Sequence, residues 1–374
     1  MAVLYVKDQG ACIRKTGERI TVAKGTLVLS SIPAFQIEGI AVIGNIQITS
    51  QAMRFLMESG IDVGYFTYSG KYLGKITGES NKNIFLRFEQ YQCYLDEKRR
   101  LSIARTITSN KIDNQIAMIT GYRWKDKEYD YKSIVAKIEK YRLKLPEMTT
   151  STEIMGVEGI CSKLYFDAFG HMLKSEFAFN GRNRRPPKDP VNVLLSLGYS
   201  FLTREICSIL DAESFESYLG FLHGIRYGRK SLALDIIEEF RQPVVDRLVL
   251  FLLNKKMMSA DDFEITDEPR VTLNDHGFRI FLREFERWMD GRNPLSGNAS
   301  FRKQIIKQAG LLRAAISERK DYIPYSWKNR KELDDGNEDV VPAEELNERI
   351  HTDVSDDEED VSIGEGDDHV SGQL

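Results

Sequence analysis

Short β-branched and aliphatic runs dominate the first 75 positions. They fall at residues 3–6, 20–22, 26–29 and 40–43, with turn formers such as Asp8-Gln9-Gly10 and Gly17-Glu18 between them. Residues 51–59 carry Ala52, Phe55 and Leu56 at helical spacing. Strand character returns at 61–66 and 72–76, around Ser69-Gly70. Residues 1–77 are therefore expected to form a small β domain with one inserted helix. Its exposed strand edges suit a symmetric dimer interface. The polar stretch Gly78-Glu79-Ser80-Asn81-Lys82-Asn83 marks a linker over 78–84. From Phe85 the period changes. One long helix is predicted to Thr120, and further helices to about Arg319, with Pro146, Pro186, Pro187, Pro190 and Pro243 placed where helices should stop. The predicted fold class is α+β: a small N-terminal β domain joined to a larger all-α domain over 85–330.

Charge divides the chain again. Residues 332–374 hold 17 acids against one Arg, as in Asp356-Asp357-Glu358-Glu359-Asp360. Such a segment has too little apolar surface to offset its ordering entropy, so 331–374 is expected to be a disordered acidic tail. The remaining 331 residues carry 51 Lys and Arg against 39 acids. A body this basic is compatible with nucleic acid or another polyanion. Cys12, Cys93, Cys161 and Cys207 form no CxxC pair, which argues against structural zinc or a disulfide framework. There is no run of 18 uncharged apolar residues and no signal-peptide pattern at the start, so a cytoplasmic protein without a membrane span is expected.

Three places in the helical part could carry chemistry. Glu158 in Gly156-Val157-Glu158-Gly159 reads as an acid near a helix start, with Ser162 and Tyr165 on its face. His223 follows the apolar run Tyr218-Leu219-Gly220-Phe221-Leu222 and reads as closing a helix. Ser231 is the expected N-cap of a helix bearing Asp235 and Glu238. Each has a structural explanation taken alone: a dipole-favoured acid, a capping or core histidine, a solvated acidic face. Taken together, two carboxylates and an imidazole form an oxygen-rich set suited to Mg²⁺ or Mn²⁺. Basic residues flank all three: Arg182, Arg184, Arg185 and Lys188 in one loop, and Arg226, Arg229 and Lys230 in another. Such side chains pair with DNA phosphates.

Two long motifs then resemble a known family, the CRISPR adaptation integrases (Cas-one). One is Phe179-x-x-Arg-x-Arg-Arg-Pro-Pro-x-Asp-Pro-Val-Asn-x-Leu-Leu-Ser-x-Gly-Tyr199. The other is Gly220-Phe-Leu-His223-Gly followed by Ser231-Leu-x-x-Asp235-x-x-Glu238-x-Phe-Arg-x-x-x-Val-Asp246-Arg247. Glu158 in its Gly-Val-Glu-Gly setting and the segment 42–49 match as well. The resemblance covers about residues 1–325. It implies an N-terminal β domain, a helical catalytic domain and a homodimer. It also implies a small ferredoxin-like partner, Cas-two, with which short double-stranded DNA spacers are inserted into the CRISPR array. Glu158, His223 and Glu238 map onto the metal ligands and Asp235 onto a supporting acid. The reaction implied is attack of a DNA 3′-hydroxyl on a phosphodiester, with hydrolysis when water attacks. Two other readings use the same residues: a branched-DNA repair metallonuclease, distinguished by a lack of strand-transfer products on a CRISPR repeat, and a non-catalytic DNA-binding scaffold, distinguished by metal-independent or absent activity.

Overall fold

The N-terminal strands pair into two sheets. In the computed structural model, which describes residues 2–327 apart from positions 69, 71, 79–82, 123, 125–127, 175–176, 184–185, 266–270 and 292–298, they are β1 (Ala2–Val6), β2 (Cys12–Thr16), β3 (Arg19–Lys24), β4 (Leu27–Pro33), β5 (Ile37–Ile43), β6 (Gln47–Ile48), β7 (Asp62–Phe66) and β8 (Tyr72–Ile76). One sheet has the order β1-β5-β7-β8, with β1, β5 and β7 parallel and β8 antiparallel. The other runs β4-β3-β2-β6. Strands β2 and β6 escaped the pattern analysis because Cys-Ile-Arg-Lys-Thr and Gln-Ile show too little alternation; Ile13 is the one fully buried residue of β2. Helix α1 (Ser50–Glu58) is capped by Thr49, whose hydroxyl accepts from the Ala52 amide at 3.3 Å. Its Ala52 and Leu56 join Ile13, Ile20, Val22, Ile40, Val42 and Val63 in a single core shared by both sheets.

The helical part contains α2 (Ile84–Leu95), α3 (Glu97–Thr120), α4 (Tyr131–Arg142), α5 (Ser151–Met172), α6 (Pro190–Ala212), α7 (Ser231–Phe240), α8 (Arg247–Asn254), α9 (Asp275–Asp290) and α10 (Phe301–Ser317). The single long helix expected from Phe85 is broken at Asp96. That residue takes an extended ψ of 100° and caps α3 by accepting from the Arg99 amide at 3.2 Å. Nor is this part all-α: β9 (Phe263–Ile265) and β10 (Val271–Leu273) form a two-stranded antiparallel pair. Pro243 does not end a helix either. It lies in a π-helical turn, Arg241–Asp246, that joins α7 to α8.

Helix α6 starts at Pro190, with Asp189 accepting from the Asn192 amide at 2.8 Å. Among the described residues it is the one helix long and apolar enough to cross a membrane, but Leu194, Leu195, Phe201, Leu202 and Ile206 are buried in the core. It also joins the sheet to the helices. Phe201 meets Phe66 edge-on at 5.3 Å and Tyr5 at 5.7 Å, and Tyr5 donates to Glu286 of α9 at 2.5 Å. The Arg204 guanidinium lies against β5 and β7 where both strands carry glycine. A Cβ at Gly39 would stand 2.9 Å from Arg204 Nη2, and one at Gly64 3.0 Å from its Nε. Residues 1–331 form one compact unit. The expected acidic tail lies outside the described residues, as does most of the expected linker.

Candidate functional site

Helices α3, α5 and α7 bring one basic and two acidic side chains to a single point. Glu158 is not in the first turn of its helix. Helix α5 begins at Ser151, where Thr150 and Glu153 form a capping box, so Glu158 lies two turns in. Its Oε1 accepts from Ser162 Oγ at 2.7 Å, one turn further on, and Ser162 in turn accepts from Gln115 Nε2 of α3 at 3.1 Å. Helix α7 presents Glu238, whose Oε1 lies 3.3 Å from Arg241. Between the carboxylates stands Lys111 of α3, which is 2% exposed. Its ammonium pairs with Glu158 Oε1 and lies 2.6 Å from Glu238 Oε2.

His223 does not close a helix. Residues 213–230 form an irregular connection between α6 and α7, and His223 stands at a bend within it. Asp235, fully buried on α7, organises that bend. Its Oδ2 accepts from the Phe221 and Leu222 amides at 2.5 and 3.0 Å, and its Oδ1 from the His223 amide at 2.9 Å. His223 Nδ1 lies 2.8 Å from the same Oδ1. A carboxylate accepts, so Nδ1 donates, and in the neutral ring the lone pair is left on Nε2. The approach requires Gly220, where a Cβ would stand 2.7 Å from the Ser231 carbonyl carbon and 2.9 Å from Asp235 Oδ2. Ser231 is the first helical residue, not the cap, and its hydroxyl donates to Gly224 O at 3.1 Å.

Electrostatics keep both glutamates ionised. Burial pushes the Glu238 carboxyl up, but Arg241, Lys111 and His223 outweigh it and hold it at about 2. For Glu158, burial and the Glu238 charge raise the pKa, while Lys111 and Ser162 bring it below the ordinary range. Behind the site, Arg241 lies over the Tyr199 ring at 4.6 Å, and Tyr199 and Tyr165 donate to the two oxygens of buried Asp246 at 2.5 and 2.7 Å. Burial lifts Asp246 to about 6 despite the two tyrosine bonds and the nearby arginines.

The donor set suits a hard divalent cation: two ionised carboxylates converge, and an imidazole has its inner nitrogen, Nδ1, already held by Asp235. Glu238 Oε2 is buried and accepts no hydrogen bond; the Lys111 ammonium is the charge that faces it. Among the described residues no three His, Cys, Asp or Glu side chains stand close enough to hold an ion without rearrangement.

The basic residues divide by partner. Arg182 donates to Asn192 at 2.6 Å and Ser196 at 2.9 Å and lies over Tyr199. Lys230 pairs with Asp211 at 3.2 Å, and Arg229 holds Gly224 O and Ser231 Oγ. Lys188 and Arg226 are exposed. Arg184 and Arg185 lie outside the described residues. Sequence reasoning missed Lys111 and Arg241. Lys111 belongs to a polar series on α3, Thr108, Asn110, Lys111, Asn114 and Gln115, that the fold buries.

The family described as CRISPR associated protein Cas1 matches residues 4–287. The CRISPR-associated endonuclease Cas1 3 of Thermus thermophilus is 32% identical over 333 residues, covering 87% of this chain and 97% of that protein. A solved Cas1 protein from Thermotoga maritima is 25% identical with a TM-score of 0.76, covering 87% of this chain and all of that one. The chain in a Cas6-RT-Cas1–Cas2 complex superposes with a TM-score of 0.75 at 25% identity, over 87% of this chain and 36% of that one. Matched over most of its length, this chain belongs to the Cas1 family.

Proposed function

We propose that this chain is a metal-dependent DNA endonuclease and integrase of CRISPR adaptation, with Glu158, His223 and Glu238 holding Mg²⁺ or Mn²⁺. The observation that carries the reading is the convergence of Glu158 and Glu238 on one charged point beside a histidine fixed by Asp235. A divalent ion bound there supplies Lewis-acid polarisation of a phosphoryl oxygen. The chain's own residues do the rest. Glu158 and Glu238 offer ionised oxygens at neutral pH. Asp235 fixes the His223 tautomer so that Nε2 faces outward as a donor atom. Lys188, Arg226 and their basic neighbours hold phosphates of the duplex. A DNA 3′-hydroxyl then attacks phosphorus in line, forming one P–O bond as the bond to the 3′-oxygen of the cut strand breaks; the attacking hydroxyl gives its proton to solvent and the leaving 3′-oxygen takes one up.

The finer features belong to the same proposal. The protein acts as a homodimer through residues 1–77, in the cytoplasm, with a small ferredoxin-like Cas2 partner. The Cas2 in the similar Cas6-RT-Cas1–Cas2 complex supports that partner. Exposed Leu27, Val28 and Phe35 on and beside β4 support the dimer face. The test is incubation of the protein and Cas2 with a short duplex and a repeat-bearing plasmid in Mg²⁺ or Mn²⁺. Joined products are expected, and a 3′-dideoxy end abolishes joining while leaving nicking. Nicking without joining from a 3′-hydroxyl end overturns the integrase reading in favour of a repair nuclease.

A further inference from the structure

Lys111 does more than neutralise a buried acid. Its ammonium touches both carboxylates proposed as metal ligands, at side-chain exposures of 3% for Lys111, 4% for Glu238 and 24% for Glu158. Two ionised carboxylates at such depth are costly to leave without a cation. Lys111 and Arg241 together match the charge of Glu158 and Glu238 one for one. The balance closes only while the ammonium stays.

A divalent ion needs the same oxygens. Mg²⁺ takes carboxylate oxygens at about 2.0–2.1 Å. The Lys111 nitrogen lies 2.6 Å from Glu238 Oε2 and is bonded to Glu158 as well, so it fills the point where the two carboxylates meet. Keeping it there beside a bound dication would place four positive charges, Arg241 included, around two carboxylates in a buried setting, where repulsion is weakly screened. The ammonium sits on a flexible four-carbon stem that can withdraw. Arg241 is different: it engages the other oxygen of Glu238 and is held over Tyr199.

We infer that Lys111 is a built-in competitor for the catalytic metal: its ammonium occupies the meeting point of Glu158 and Glu238 in the metal-free protein and must leave before a divalent ion binds. This rests on the metal-site reading above and deepens it. Lys111 thereby holds the two ligands together until the metal replaces it, and lowers the affinity of the protein for free metal.

The experiment measures Mn²⁺ binding to the full-length protein, without nucleic acid, from the electron paramagnetic resonance signal of the free ion. Lys111→Met is expected to bind Mn²⁺ at least tenfold more tightly than the unaltered chain. Lys111→Arg, which keeps a cation, is expected to bind no more tightly than the unaltered chain. Equal or weaker binding by Lys111→Met overturns the inference. Loss of the ammonium destabilises the metal-free Lys111→Met protein by leaving its acids without a partner, so melting curves with and without Mn²⁺ accompany the titration. Restoration of its melting temperature by Mn²⁺ supports the exchange, and a variant that Mn²⁺ does not rescue overturns it. Glu158→Gln separates the two readings. Loss of Mn²⁺ binding there, with Lys111→Met unchanged from the parent, rejects only the role of Lys111. Undiminished binding by Glu158→Gln rejects the metal site itself.

Discussion

Asp235 Oδ1 lies 2.8 Å from His223 Nδ1, and the same carboxylate gathers the amides of Phe221, Leu222 and His223. One buried acid thus sets both the position of the histidine and its tautomer. Asp235→Asn has one oxygen for four donors, so its amide must turn a donor toward either the backbone or the ring. Facing the ring, it moves the proton to Nε2 and removes the outward lone pair. Strand cleavage in Mn²⁺ is expected to fall about 10- to 100-fold. Activity within twofold of the parent would exclude the orienting role.

The proposed ligands should behave as a unit. Glu158→Ala, His223→Ala and Glu238→Ala are each expected to abolish cleavage and joining, and a double variant to lose little more than a single one. Their stabilities should differ. Glu238→Ala leaves Arg241 without its carboxylate and Lys111 with Glu158 alone, at a cost of about 3–5 kcal/mol, so it should melt lowest of the three. Near-normal activity in any two of these variants removes the assignment.

Gly220 offers a steric test. A methyl group there has the Ser231 carbonyl carbon at 2.7 Å and Asp235 Oδ2 at 2.9 Å, whereas one at Gly224 meets nothing within 4 Å. Gly220→Ala should therefore cost about 1–3 kcal/mol by overpacking and reduce activity through a displaced Asp235. Gly224→Ala should be close to neutral. Denaturant melts and a cleavage assay on the pair decide the matter; equal behaviour of the two variants counts against close packing at Gly220.

Asp246 predicts a pH dependence. Its carboxyl is raised from 3.8 to about 6 in the folded protein, first by burial. The folded state then binds the proton more tightly than the unfolded state. Its contribution is fully present below pH 3.8 and is lost as pH rises through 6. Asp246→Asn can still serve Tyr165 and Tyr199, because a tyrosine hydroxyl both donates and accepts. The melting temperature of the variant relative to the parent should rise between pH 4 and 6.5 and then level off. A constant difference across that range contradicts the shifted carboxyl.

Self-association through the N-terminal sheets is best tested by substitution. Phe66 and Tyr5 pack on Phe201, so deleting residues 1–82 would strip the core of α6 as well. Leu27→Glu with Val28→Glu alters two side chains that are 64% and 58% exposed. Sedimentation is expected to report a monomer; an undiminished dimer places the interface elsewhere.

The meeting of Glu158 with Glu238 at Lys111, and of His223 with Asp235, joins residues the sequence had singled out: His223, Asp235 and Glu238 through one long ordered motif and Glu158 through its short Gly-Val-Glu-Gly setting. Their conformations were less legible. Gly156 and Gly159 read as a helix start, yet both lie mid-helix in α5, because the deciding signal, Thr150 with Glu153, comes earlier in the chain. The β-branched and aliphatic runs at 20–22 and 40–43 located β3 and β5, but pairing order is set by contacts between distant segments, so the division into two sheets could not be read from them. Lys111 was beyond reach for a physical reason. A polar stripe on a long helix reads as its solvated face, and only the meeting of α3 with α5 and α7 turns that stripe inward.

Pro243 has no N–H for the carbonyl four residues back, that of Glu239. That oxygen accepts instead from Asn114 Nδ2 of α3 at 3.0 Å, while Asn114 Oδ1 receives the Trp327 amide at 3.3 Å. The end of the helix that bears Glu238 is thus stitched by a residue 125 positions away in sequence. The local chain leaves that carbonyl to α3, so the end of α7 is completed only where the two helices are packed together. In the native protein its amides should exchange with solvent only in the openings that separate those two helices, among the slowest motions of the molecule.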